Sequence, residues 1–163
     1  MRLRTWLFDR GDNLAGGIYG TILVISLIAA VDSESRIWQS IALIELTTFV
    51  FWLAHVYAFA LATSLERQAR ISLHEVRTLA VHEWPLLQSS ILPLLALIAG
   101  GIGLLGVRTA FAVAIAIGVV TLASWGFIFA RKENLGALAT TGVVATNTAF
   151  GLAVVVLKVF VSH

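Results

Sequence analysis

The stretch Glu45-Leu46-Thr47-Thr48-Phe49-Val50-Phe51-Trp52-Leu53-Ala54-His55 sets a carboxylate and an imidazole inside an apolar run extending from 38 to 63. Runs of about 17–25 apolar residues cross the hydrocarbon core of a bilayer as helices. Four more fill most of the chain, at 14–32, 86–106, 109–130 and 137–160. The alternation in Phe111-Ala112-Val113-Ala114-Ile115-Ala116-Ile117-Gly118 resembles a strand. An open strand leaves its backbone unsatisfied in lipid, so helix prevails there too. The expectation is an all-α, polytopic bundle: one transmembrane domain over 1–163, with five transmembrane helices and a short cytoplasmic amphipathic helix.

Composition agrees. The chain of 163 residues is 59% hydrophobic and 12% charged, with a mean hydropathy of +0.93, values that belong to a bilayer protein. The formal charge of +2 comes from basic residues at the ends of apolar runs, a pattern of membrane topology that argues against nucleic acid. With no cysteine, disulfides, thiolate metal sites, Fe–S clusters and cysteine nucleophiles are excluded. Met1-Arg2-Leu3-Arg4 before an apolar run imitates a signal peptide, but Asp9, Asp12 and a glycine pair interrupt it, so no cleavage is expected.

Orientation follows from Lys and Arg. Arg2, Arg4, Arg10, Arg67, Arg70, Arg77, Arg131 and Lys132 fall on one side of the spans; Arg36, Arg108 and Lys158 fall on the other. Eight against three places the N-terminus in the cytoplasm and the C-terminus outside, in a multi-pass protein of the cell inner (plasma) membrane.

Between the second and third spans, Ser72-Leu73-His74-Glu75 fits a capping box, with Ile71 and Val76 placed as its hydrophobic staple. It opens an amphipathic helix over 73–84, expected at the inner interface. Val76, Leu79, Ala80 and Trp84 share one face; His74, Glu75, Thr78 and His82 share the other. Pro85 suits the first turn of the span that follows. Small residues four apart (Gly16 and Gly20, Gly17 and Thr21, Ala96 and Gly100, Ala112 and Ala116, Ala145 and Ala149) let backbones approach closely, within one bundle or between copies of a homo-oligomer. Pro93 removes a helical hydrogen bond and frees the Ser89 carbonyl.

An intramembrane ionisable residue is expensive, and that directs attention to the second span. At about 100° per residue, Glu45, Thr48, Trp52, His55, Phe59 and Thr63 fall within roughly 80° of one another. On the fifth span, Thr140, Asn147, Gly151 and Lys158 keep to one face, with Lys158 in the same half of the bilayer as Glu45. A Glu45–Lys158 pair across these two helices is therefore expected; the alternative for Lys158 is snorkelling to the headgroups, and that for Glu45 is an interhelical hydrogen bond that holds the bundle together. His55, with a reference pKa near 6.5, suits a proton shuttle or a weak metal ligand, or else a hydrogen-bonded packing role. Glu75 and His82 lie about 10 Å apart along their helix, too far to chelate one ion alone, so a solvated charged face is expected there.

Gly17-Ile18-Tyr19-Gly20-Thr21-Ile22-Leu23-Val24, the run from Trp52 to Ala58, Glu83-Trp84-Pro85 and the segment from Gly151 to Lys158 resemble an uncharacterised family of small actinobacterial integral membrane proteins. The resemblance covers most of the chain and brings no known activity. A fainter architectural likeness is to the vacuolar iron transporter family: five spans, an inner N-terminus, a charged helical insert, and Ala62-Thr63-Ser64-Leu65-Glu66-Arg67-Gln68 at the end of the second span. That family's first-span aspartate is replaced here by Gly16-Gly17, and the one methionine is Met1, so no ligand residue carries over. Fold alone does not establish function.

Two readings stay open. One is a small oligomeric transporter or channel for a proton or small cation, with Glu45 and His55 as titratable stations and Asn147 and Lys158 opposite. The other is a non-transporting structural or accessory subunit, bound to a protein partner or lipid at its cytoplasmic face. No nucleophile–base pair, HExxH or phosphate-cradling loop is present, so an enzyme is not expected. Nor is a cofactor: haem would need axial ligands, and His55 is the only histidine well inside a span.

Overall fold

The computed structural model describes residues 12–31, 36–69 and 71–161. Arg2, Arg4, Arg10 and Arg70, and the signal-like start, lie outside the described residues. Among the described residues six helices follow in order: α1 (Asp12–Ala30), α2 (Ile37–Arg67), α3 (Leu73–His82), α4 (Trp84–Gly101), α5 (Val107–Lys132) and α6 (Ala137–Val161). Among the described residues there is no strand. Four segments are long and apolar enough to cross a membrane (Ile37–Arg67, Leu73–Gly101, Val107–Lys132 and Ala137–Phe160), and Leu14–Ala30 is a shorter apolar helix.

Three helices end in the same way. Gln68, Gly103 and Asn134 adopt left-handed conformations with φ of 50°, 82° and 52°. Each N–H, and that of the next residue, turns back onto the last helical carbonyls: Gln68 and Ala69 onto Leu65 and Ser64, Gly103 and Leu104 onto Gly100 and Ala99, Asn134 and Leu135 onto Arg131 and Ala130. This closes orphan carbonyls that lipid could not satisfy. It also corrects the third span, expected to run to 106: the helix stops at Gly101 because Gly103 supplies the reversal, although Ile102, Leu104 and Leu105 prolong the apolar run.

α1, α4 and α5 pack on one another, α2 lies along the α1–α4 edge, and α6 lies along the α1–α5 edge. The contacts fix directions. Gly16 and Gly20 of α1 face Glu83, Leu86 and Ser89, so α1 and α4 run parallel. Gly17 meets Trp125 and Gly118 meets Ile25, so α5 runs against α1. Gly126 against Val144 and Gly151 against Val119 make α6 antiparallel to α5. A Cβ on Gly20 would stand 2.7 Å from the Leu86 carbonyl oxygen and 2.9 Å from its Cα, so this crossing requires glycine.

Not every small-residue pair is spent inside the bundle. Gly16, Gly20, Gly17, Thr21, Ala96 and Gly100 are buried, but Ala112, Ala116, Ala145 and Ala149 are exposed. On α5 the packed ridge is Ala110, Ala114, Gly118, Leu122, Gly126 and Ala130, every fourth residue, facing α1, α4 and α6. Val24, Ile28, Ile37, Ile44, Ala96, Leu97, Ala110, Phe111 and Ala114 form the main apolar cluster.

α3 carries the expected capping box: the Ser72 hydroxyl accepts from the Glu75 N–H, and the Glu75 carboxylate accepts from the Ser72 N–H. It runs back alongside α2, burying Leu79 and half-burying Val76 and Ala80. Trp84 stays half-exposed. The helical path breaks at Glu83 because Pro85 lacks the N–H that would reach Val81 and its ring crowds that carbonyl.

Candidate functional site: the polar edge of α2

The stripe read on the second span faces protein. Glu45 sits against α4, where the Ser90 hydroxyl lies 3.2 Å from its Oε2. Its Oε1 is buried with no hydrogen-bond partner among the described residues. One turn on, Thr48 is fully buried and spends its hydroxyl on the Ile44 carbonyl at 2.8 Å. The Trp52 indole donates to the Ala80 carbonyl of α3 at 3.3 Å and meets Trp84 edge-on, with centroids 6.3 Å apart. The His55 ring lies 4.9 Å from Tyr19 of α1 and 6.4 Å from Phe59. Phe59 is exposed, so the packed edge extends from Glu45 to His55. Ten residues separate these two, about 15 Å along the helix.

The residues of the last span do not join this edge. α6 packs on α5 and α1, while α2 packs on α4, α1 and α3. Asn147 is buried beside Gly126 and donates to its own helix at Val143, 3.0 Å away. Thr140 donates to the Leu135 carbonyl just before α6. The Lys158 ammonium stands 5.8 Å from the centre of the Phe111 ring on α5. Lys158 therefore does not meet Glu45. The expectation failed because a helical wheel gives each helix a face without giving its neighbour.

At the α3–α4 junction, the charged surface expected around His74, Glu75, His82 and Glu83 is divided. Glu75 pairs with Arg67 and closes the cap. Glu83 is buried, with Oε1 3.4 Å from His82 Nδ1 and the carboxylate turned toward Gly16. A carboxylate at the start of α4 also complements the positive end of that helix. No group of three His, Cys, Asp or Glu side chains gathers to hold a metal among the described residues.

Sequence reasoning missed two participants, Ser90 and Tyr19, which were visible only as residues on other spans. Trp125 packs its ring on Gly17, and its Nε1 is buried without an acceptor among the described residues. Comparison of the chain with protein-family models, with curated proteins and with solved structures finds no match in any of the three.

Proposed function

We propose that this chain is a multi-pass membrane protein that carries a proton or small cation through Glu45, the outer of two titratable positions on the packed edge of α2. The observation carrying this reading is the carboxyl group itself. It lies in a segment long and apolar enough to span the bilayer, it is held by Ser90 through one oxygen, and its other oxygen is buried with no partner among the described residues. A group that only locked two helices together would gain by using both oxygens. His55 is the second station on the same edge. The basic asymmetry supports a cytoplasmic N-terminus in the inner (plasma) membrane, and the exposed faces around Ala112 and Ala116, and Ala145 and Ala149, support assembly of copies.

Flux into proteoliposomes tests the reading. Ion-driven flux falls to background in Glu45→Gln and drops in His55→Ala; flux unchanged in both variants removes the proposal.

One observation favours the accessory-subunit reading instead. Trp52 and His55 are both engaged in contacts between helices, to Ala80 and Trp84 and to Tyr19, which is what packing residues do. A protein that co-purifies stoichiometrically, with no flux from the isolated chain, selects that reading.

A further inference from the structure

The reading of Glu45 as the transporting group leaves two species, a proton and a small cation, and the geometry at Ser90 separates them. Ser90 Oγ stands 2.9 Å from the Leu87 carbonyl oxygen on its own helix and 3.2 Å from Glu45 Oε2. A hydroxyl has one hydrogen to donate and lone pairs that accept. Ser90 therefore cannot donate to both oxygens in full. The contact to Leu87, within one turn of one helix, is the shorter and takes the hydrogen when Glu45 is neutral; an ionised carboxylate, as the stronger acceptor, would draw it away. Against a neutral acid Ser90 presents a lone pair, and the carboxyl group supplies the proton of that hydrogen bond. We infer that Glu45 holds a proton on Oε2 and donates it to Ser90 Oγ, making this a proton site rather than a metal-cation site; the inference rests on, and deepens, the transport reading above.

The other oxygen agrees independently. Oε1 is buried without a hydrogen-bond partner among the described residues. In a carboxylate it would carry half of a charge with nothing to solvate it, whereas in a neutral acid it is a carbonyl-like acceptor whose isolation costs far less. Among the described residues no ion pair reaches Glu45, and Arg36, at the N-cap of α2, is nine residues away, about 14 Å along the axis. Residues 85–101 of α4 carry no ionisable side chain, and α1 from 14 to 30 carries Tyr19 alone, which lies against His55. On α2, His55 is about 15 Å away along the axis and Tyr57 is exposed on another side. On α3, Glu75 is engaged by Arg67 far along α2, and His82 by Glu83 at the level of Trp52, which touches Ala80 and Trp84. Hard cations such as Ca²⁺ or Mg²⁺ take about six or more oxygen ligands. The neighbouring hydroxyls are turned away: Thr48 to Ile44 at 2.8 Å, and Ser89 to Leu86 at 2.6 Å.

Infrared spectroscopy of the full chain in lipid nanodiscs tests this directly. At neutral pH the C=O stretch of one protonated carboxylic acid is expected, lost entirely in Glu45→Gln and kept in Glu83→Gln. In Ser90→Ala, where the acceptor is gone, it moves to higher frequency. Raising sodium or potassium leaves it unchanged. A spectrum that Glu45→Gln does not alter, or a band abolished by sodium or potassium, overturns the inference. Should Glu45→Gln fail to fold, a hydrophobic carbodiimide applied to the unaltered chain serves in its place. An adduct on the Glu45 peptide supports the proton site, and an unlabelled Glu45 overturns it. Flux reads the underlying function separately. The acid band without Glu45-dependent flux sinks transport and leaves the proton site; flux without the band does the reverse.

Discussion

Trp52 on α2 and Ala80 on α3 are joined by an indole N–H to carbonyl hydrogen bond of 3.3 Å, made where α2 passes from one partner helix to the next. The same indole meets Trp84, the first residue of α4, edge-on. One side chain thus fastens α2 to both pieces of its antiparallel partner. Trp52→Phe keeps a ring and removes the donor, and should cost about 1 kcal/mol. Trp52→Ala also removes the ring and should cost about 3–5 kcal/mol. Reversible unfolding in bicelles measures both; a Trp52→Phe variant as stable as the unaltered chain would show that the hydrogen bond contributes nothing.

Two glycines make opposite predictions from the same substitution. Gly20→Ala drives a methyl group into the Leu86 backbone at 2.7 Å, which cannot give way as a flexible side chain would. It should destabilise the protein by about 1–3 kcal/mol. Gly142→Ala meets nothing within 4 Å. By removing helical flexibility it should be neutral or stabilise by up to about 1 kcal/mol. Thermal denaturation in detergent checks the pair.

The absence of cysteine makes crosslinking a clean reporter of neighbours. Glu45→Cys with Ser90→Cys should form a disulfide on oxidation. Glu45→Cys with Lys158→Cys should not, because α2 lies along the α1–α4 edge and α6 along the α1–α5 edge. Gel mobility under non-reducing conditions distinguishes the two, and efficient linkage of the second pair would contradict the helix arrangement.

The start of α3 depends on one hydroxyl. Ser72→Ala removes the acceptor for the Glu75 N–H and should cost about 1 kcal/mol of local stability. Hydrogen exchange at Glu75 and the amides beside it should quicken severalfold, while exchange in α5 stays unchanged.

A double-mutant cycle between Glu45→Ala and Ser90→Ala should return a coupling of about 0.6 kcal/mol and no more than about 1.7 kcal/mol, the range of neutral interhelical hydrogen bonds in membranes. A much larger coupling would indicate a charged partner.

What the sequence disclosed was mostly periodic. The helices, the cap at Ser72 and the shared edge of Glu45, Thr48, Trp52 and His55 follow from spacing, and the edge is turned toward protein as its cost in lipid demands. Neighbours were harder to read. Nothing local says that α2 packs on α4 and not on α6, so Ser90 was passed over and Lys158 was given the wrong partner. α5 was opaque for another reason. Its length is almost uniformly apolar, so no polar face marks which side is outward, and Ala112 and Ala116 looked as fit for packing as Ala110 and Ala114. The burial of Glu83 came from the turn that Pro85 imposes, which brings the carboxylate under Gly16.

The interruption at Glu83 sets one continuous rod against two jointed ones. α2 is unbroken from Ile37 to Arg67, and along it Trp38 and Glu45 grip α4 while Trp52 and Arg67 grip α3. It therefore works as a splint across the joint, and any bend there must first break one of these grips. The Arg67–Glu75 pair, exposed to solvent, would yield first, and the half-buried indole of Trp52 would hold longest.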